Sequence, residues 1–521
     1  MTTLKVQKPS RWVLARKKIF ALLFIFIILG VGTRFLRLGL AFPIWGDEAF
    51  VAINLSTNDY SELTKPLRHY QIAPLGFLWL EKTALILFGS SEIALRILPC
   101  FASILALFIF GYASRSLCFR KTALLAFAIL AVSYYPLRHA NEIKPYAFDL
   151  LAGTIFLLVG TKAIQDYQAA KTILLLTFLT PLLLFISFPA VFVAGGVCIA
   201  LFFNIILQKK TRLLLTWILF ALSILASFLT HYLTIGQNQF QNNLANHQAY
   251  WNTAFPPANL LQFPGWFLNV HVGNMFAYPI GGKDGASTVT FLLCLFGIYQ
   301  LLKKSKYSIL LLLLVPFLLN LIAAFLGHYP YGGSARIAQH LAPAICLLMA
   351  IGLRSLLQFR IVSKFRSTTF ITILLMLALL GISQGVKDIQ KPYKTLGDKE
   401  ARTLIQTVCA NIKPENPLLI TQEPDLIDPT LEWYLRVEKA KVLWTQEAQV
   451  PQIINEKKQA DWLWLPQRKP GGDTQPELII TNFVELNSTI KKEFFFSLGR
   501  DSKVKPQAVW VQLQSKIRQK E

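Results

Sequence analysis

The sequence predicts a polytopic α-helical membrane protein carrying a separate C-terminal α/β domain, and three observations predict it. The 521-residue chain is 54% hydrophobic and only 15% charged, with a mean hydropathy of +0.46. That is too apolar and too sparsely charged for a soluble chain of this length. Apolar runs close to the ~20 residues that a spanning helix needs recur almost without a gap. Between them, basic clusters fall on alternate loops, as the positive-inside rule expects.

The first run, 19–33, follows the basic leader MTTLKVQKPSRWVLARKK. Its apolar core continues to about Leu40 with no small-x-small cleavage site, so it reads as an uncleaved anchor rather than a signal peptide. Further runs lie near 93–113, 122–135, 146–160, 172–207, 213–230, 286–302, 307–326, 337–353 and 368–382. The stretch 172–207 is long enough for two short spans hinged at Ser187-Phe188-Pro189, giving about eleven spans in all. The segment HYQIAPLGFLWLEK (69–82) is too short and too interrupted by Pro74 and Gly76 to span. It reads as an interfacial or re-entrant element, tolerated where protein or a water-filled cavity satisfies its backbone.

From residue 386 the pattern changes. NPLLITQEP, AKVLWT and DWLWLP read as short strands, while LIDPTLEWYLR and PQIINEKKQ read as helices. The expected division is a transmembrane module over 1–385, with outer loops 41–92, 136–146, 236–285 and 327–340, and an extracytoplasmic α/β domain over 386–521. That domain has no nucleophile elbow, P-loop or GxGxxG, and reads as a lid or docking platform without its own chemistry. The six cysteines are scattered, with neither metal-ligand spacing nor a disulfide framework.

Charge divides along the same boundary. Residues 1–385 contribute +21 and residues 386–521 only +3 of the net +24. The basicity therefore belongs to the membrane module and does not point to nucleic acid. With eleven spans, the basic loops and the N-terminus face the cytoplasm and the C-terminal domain lies outside, as expected for a multi-pass protein of a plasma (inner) membrane. In that orientation nine of the ten acids of the membrane module face outward: Asp47, Glu48, Asp59, Glu62, Glu81, Glu92, Glu142, Asp149 and Asp284. Only Asp166 faces inward. The outer face also carries Arg68, His69, Arg138, His139, Lys144, His271, Lys283, His328, Arg336 and His340. Mixed charge, aromatics and prolines on one face mark where a site should be sought. Arg34 and Arg37, at the outer end of the first span, read as helix anchors or partners of an outer acid.

An acidic dipeptide after a span is ordinarily a solvated loop; here Asp47-Glu48 has ordered companions. They are His69 to Leu75, Glu142 to Tyr146 and Tyr329 to Arg336. In order and distribution over about 385 residues, these motifs make the sequence resemble the C-type (GT-C) membrane glycosyltransferases. The resemblance is to the protein-mannosyltransferase-like and aminoarabinose-transferase-like group. The chain departs from that pattern in two places. Ala73-Pro74 replaces a Pro-Pro, and Gly332-Gly333-Ser334 is extra before the late Arg.

The resemblance implies GT-C architecture and inverting transfer of a sugar from a polyprenyl-phosphate donor to a protein, lipid or glycan acceptor on the outer face. It implies Asp47 as the base, since displacement needs a carboxylate to take the acceptor's proton, with Glu48 orienting the acceptor, its neighbour or a metal ion. The phosphate leaving group needs cations. Arg336, Arg138 and Lys144 are the candidates, with Arg preferred for its bidentate fork. His69, Glu142 and Tyr146 complete the substrate-binding candidates. No cofactor is called for, and a divalent metal is left open because no ligand spacing is visible. The rival readings are a transporter or flippase, or a polysaccharide polymerase or ligase handling lipid-linked sugars. The first would show internal repeats or charged midplane segments. The second would not need the acidic pair. A purely structural membrane protein gives no reason for the outer-face mixture.

Overall fold

The structure is a computed structural model. It describes residues 11–165, 168–236, 239, 248–282, 285–358, 366–412, 418–420, 428–444, 459–464, 488–496 and 508–515. Asp166, Lys283, Asp284 and most of PQIINEKKQ lie outside the described residues. The chain divides into two compact units. The first comprises residues up to Leu40, Asn58–Gly89 and Ile93–Gln390; the second comprises Ala41–Thr57, Ser90–Glu92 and Lys391 onward.

The first unit is a helical bundle. Its helices are α1 (Arg11–Gly39), α3 (Leu75–Phe88), α4 (Ile97–Leu117), α5 (Arg120–Val132), α6 (Tyr134–Arg138), α7 (Tyr146–Gln165), α8 (Ala169–Ile186), α9 (Ala190–Leu207) and α10 (Leu214–His231). They are followed by α11 (Phe263–Val270), α12 (Thr288–Lys303), α13 (Tyr307–Phe325), α14 (Ala342–Leu356) and α15 (Arg366–Gln390). The second unit holds α2 (Gly46–Thr57), α16 (Leu396–Asn411) and α17 (Pro429–Val437).

Nine helices among the described residues are long and apolar enough to cross a membrane. The segment α5 with α6 and the turn after it, bent by 52° at Ser133, makes a tenth, and the shorter apolar α12 continues the series. The protein is a multi-pass membrane protein. The break expected at Ser187-Phe188-Pro189 separates α8 from α9, and Ser187 Oγ donates to Asp149 Oδ1 at 2.7 Å. Within and beyond the 69–82 segment lies α3, which starts after Pro74 and ends at Gly89. Its 14 residues reach about 21 Å, short of the ~30 Å hydrocarbon core.

Within the bundle α4 packs on α7, α13 on α9, α10 on α8 and α12 on α14. The last contact is made backbone to backbone. A Cβ on Gly297 would run into the Leu348 carbonyl, and one on Gly352 into the Leu293 carbonyl. Small residues let helices in lipid approach this closely. Overpacking ordinarily costs about 1–3 kcal/mol, and here the obstacle is backbone that cannot rotate away. Gly352→Val is therefore expected to lower the yield of monodisperse protein in size-exclusion chromatography several-fold. Gly32→Val, where nothing lies within 4 Å, should leave it unchanged.

Arg34 departs from its expected role as an end anchor. It is fully buried, and its guanidinium donates to Ser103 Oγ at 2.8 Å, Gly30 O at 2.7 Å and Ala131 O at 3.3 Å. Polar groups on α4 and α5, with the Gly30 carbonyl of its own helix, take the protons of Nε and Nη1, because burial leaves no water to do so. Arg37 does find an acid, Asp388 at 2.6 Å on α15.

The second unit contains a five-stranded mixed sheet in the order β2-β1-β3-β5-β4, where β1 is Leu418–Ile420, β2 Val442–Trp444, β3 Gln459–Trp464, β4 Ser488–Phe496 and β5 Ala508–Ser515. β1 pairs in parallel with β2 and β3; β5 runs antiparallel to β3 and β4. The three strands expected at 416–466 are present, and LIDPTLEWYLR contains α17, with Asp428 capping its N-terminus through Thr430 N at 2.9 Å. All six cysteines are free.

Candidate functional site

Asp47 and Glu48 belong to the second unit, in the first turn of α2. The Trp45 carbonyl accepts from Glu48 N at 2.8 Å and Ala49 N at 2.9 Å, which opens the helix directly under the pair. Carboxylates are favoured there by the partial positive charge of unpaired N–H groups. Successive helical residues point about 100° apart, and the two acids differ accordingly. Asp47 is half-buried, whereas Glu48 has no exposed surface.

In the first unit, the cationic and aromatic candidates gather after Ser133, where the chain turns out of α5. Tyr134 N donates to Pro279 O at 2.8 Å, tying the turn to the 276–282 segment. Short α6 and the following turn place Arg138, His139 and Glu142 at i, i+1 and i+4. His139 Nδ1 donates to Glu142 Oε2 at 2.6 Å, and Arg138 Nε lies 3.8 Å from Glu142 Oε1. Arg138 also donates to the Tyr134 hydroxyl and covers that ring at 5.6 Å. The His139 ring stacks on Tyr135 at 5.8 Å and meets Tyr146 edge-on at 5.1 Å. His139, Glu142 and Lys144 are buried; Arg138 retains about a quarter of its exposure.

Lys144 reaches the loop before α3, donating from Nζ to Gln71 Oε1 at 2.7 Å. Gln71 Nε2 in turn donates to the His69 carbonyl at 3.0 Å. His69 and Tyr70 both hold left-handed backbone, φ 59° and 53°. Such conformations are costly outside glycine and persist where the surroundings enforce them. Here Lys144 and Gln71 supply part of that enforcement.

The late segment is stapled to the 250–275 region. Tyr331 N donates to Ala254 O at 2.8 Å and Asn274 Nδ2 to Gly333 O at 2.9 Å. The extra Gly332-Gly333 takes φ 72° and 71°, and a Cβ on either would collide with Val270 or Ala254. The insertion is thus a left-handed turn pressed against its neighbour, which only glycine permits. His271 Nδ1 donates to Phe267 O at 2.6 Å, so its Nε2 accepts from the Tyr331 hydroxyl at 3.1 Å. Burial pushes this imidazole down to about 4, so it stands neutral among Phe267, Phe276 and Phe291. Beyond the turn, Arg336 Nη2 donates to the Tyr250 hydroxyl at 3.0 Å and its guanidinium covers the Trp251 ring at 4.9 Å.

The structure thus brings together Arg138, Glu142 and Tyr146, and sets Lys144 beside the His69 loop. Arg336 lies in the same unit, held by Tyr250 and Trp251. Asp47 and Glu48 stand in the other unit. The sequence places His139 on the expected outer face but outside the substrate-binding candidates. Its bond to Glu142, at i, i+3 on a helical turn, was the available signal. Tyr134, Tyr135, Tyr250 and Trp251 carried none, since aromatic residues near a bilayer surface are expected anyway. Among the described residues, no three His, Cys, Asp or Glu side chains gather where they could hold a metal ion.

No known family pattern and no curated protein matches the chain. Solved structures do. ArnT from Cupriavidus metallidurans bound to undecaprenyl phosphate superposes with a TM-score of 0.55 at 11% identity, over 94% of this chain and 97% of that one. The same protein in the apo state gives 0.52 at 12% identity over the same shares. The chain shares its fold with ArnT over almost its whole length.

Proposed function

We propose that this chain is an inverting glycosyltransferase of the GT-C type. It moves a hexosyl or pentosyl group from a polyprenyl-phosphate donor to a protein, lipid or glycan acceptor on the outer face of a plasma (inner) membrane. The observation that carries the reading is the pair of guanidinium groups of the first unit, Arg138 held by Glu142 and Tyr134 and Arg336 held by Tyr250 and Trp251. The relative solved with undecaprenyl phosphate shares the fold over almost the whole chain, which supports a prenyl-phosphate ligand for those cations.

In this mechanism the acceptor nucleophile attacks the anomeric carbon, the bond to the phosphate oxygen breaks, and polyprenyl phosphate leaves. Asp47 takes the nucleophile's proton, and Glu48 orients the acceptor. Arg336 with Arg138 or Lys144 neutralises the charge growing on the departing phosphate. Glu142 sets the Arg138 fork through its ion pair and, with His139, Tyr146 and His69, contacts sugar or phosphate oxygens. The 386–521 region is proposed to lie outside the membrane, and the membrane module's loops 41–92, 136–146, 236–285 and 327–340 to line the site.

Purified protein offered a panel of polyprenyl-phosphate sugars should release carrier phosphate with at least one of them when an acceptor extract is present. Movement of the lipid-linked sugar across a vesicle membrane without release would favour a flippase instead. Extension of a lipid-linked glycan would favour a polymerase.

A further inference from the structure

We propose that the C-terminal region is a clamp that positions the proposed base, acting through Tyr434 and Arg402; this rests on the reading of Asp47 as the base. The contacts all lie inside the second unit, which gathers Ala41–Thr57, Ser90–Glu92 and the chain from Lys391 onward. The segment entering α2 is held at successive residues. Ala41 O accepts from Arg402 Nη1 at 2.9 Å, and Ile44 N donates to the Tyr434 hydroxyl at 2.9 Å. The Lys394 ammonium covers the Trp45 ring, and a Cβ added to Gly46 would meet Pro429 at ordinary van der Waals distance. Asp47 is the next residue.

The far end of the same loop returns to the same two side chains. Glu92 Oε1 accepts from the Tyr434 hydroxyl at 2.9 Å and stands 3.3 Å from Arg402 Nη1. One tyrosine hydroxyl therefore accepts from the entrance of α2 and donates to the loop's exit, while one guanidinium grips both. Beneath them, Leu431, Trp433, Tyr434 and Leu435 of α17 are buried, and α17 packs along α2. The bond at Ile44 is buried, and those of Arg402 and Glu92 are charge-assisted and part-buried, the kind that fixes geometry as well as contributing stability. A 12-residue helix in a loop is marginal by itself; these contacts determine where its first turn stands. Proton removal demands placement within a fraction of an ångström, so Tyr434, Arg402 and Glu92 act as positioning residues that touch no substrate.

The test uses the full-length membrane protein and reads two quantities. Tyr434→Phe deletes only the hydroxyl, and Arg402→Gln removes the guanidinium with its charge and its reach. Each is expected to speed amide hydrogen exchange at Ile44 and residues 46–49 and to lower kcat about 10- to 100-fold with KM for the donor little changed. Arg402→Lys should recover part of the loss. Arg402→Gln carries the test if Tyr434→Phe does not fold. Unaltered exchange at 41–49 in both variants overturns the clamp. Faster exchange with full turnover overturns its positioning role. An active Asp47→Asn variant would sink the base assignment separately, and the exchange measurement would still decide whether the clamp exists.

Discussion

Asp47→Asn is expected to abolish sugar transfer while leaving expression and membrane insertion near normal. The substitution is isosteric and keeps a side-chain oxygen at the start of α2, so the first turn can still be capped. What it removes is the one property that the proposed chemistry needs, an oxygen able to accept the acceptor's proton. General-base catalysis supplies about 10²- to 10⁴-fold, and the loss should be of that order. The structural cost is small by comparison. A carboxylate at a helix N-terminus contributes about 0.3–1 kcal/mol, and Asp47 is only half-buried. Glu48 is a harsher place to intervene, because it has no exposed surface and a polar change there strands buried groups. The discriminating measurement is single-turnover transfer by purified variant, beside its yield and its elution profile. Wild-type activity in Asp47→Asn would remove Asp47 from the mechanism.

Arg336→Gln is expected to lower transfer about 10²- to 10³-fold, the scale of losing one preorganised group that stabilises developing charge. Arg336→Lys should recover only part of it. Lysine keeps the charge but neither the planar fork that matches a phosphate nor the flat face that lies on Trp251. The stacking itself is worth about 0.5–1 kcal/mol at such a site, too little for either variant to unfold the bundle. The defect should therefore appear in turnover and in binding of the polyprenyl phosphate product, measured by direct titration, with yield unchanged. Full activity and full carrier binding in Arg336→Gln would transfer the phosphate role to Arg138 and Lys144.

The bundle was legible because the bilayer imposes a length and a polarity on every segment that crosses it. Those constraints act locally, so α4, α7 and α13 can be read one at a time. The hinge at Ser187-Phe188-Pro189 was legible for a similar reason: proline and a polar residue interrupt an apolar run wherever they fall. Pairings between distant elements left no such trace. Nothing near Arg34 announces that Ser103 and the Ala131 carbonyl will enclose it. The extra Gly332-Gly333 looked like a departure from a pattern, and only its left-handed backbone against Val270 and Ala254 gives it a reason. Lys144 could be read as a cation on the correct face, but not as the partner of Gln71, 73 residues earlier.

By itself, then, the amino-acid sequence determined a spanning helical bundle, the places where its helices break and the loop residues worth testing. Each of these depends on hydrophobic length, charge sign or backbone freedom over a few neighbouring residues. Tertiary structure alone decided that Glu142 is shared by Arg138 and His139, that Arg336 rests on Tyr250 and Trp251, and that the helix bearing Asp47 is gripped by Tyr434 and Arg402. The physical reason is that a hydrogen bond or ring contact is defined by a few ångströms in space. Its two members are free to lie hundreds of residues apart, with no periodicity to connect them.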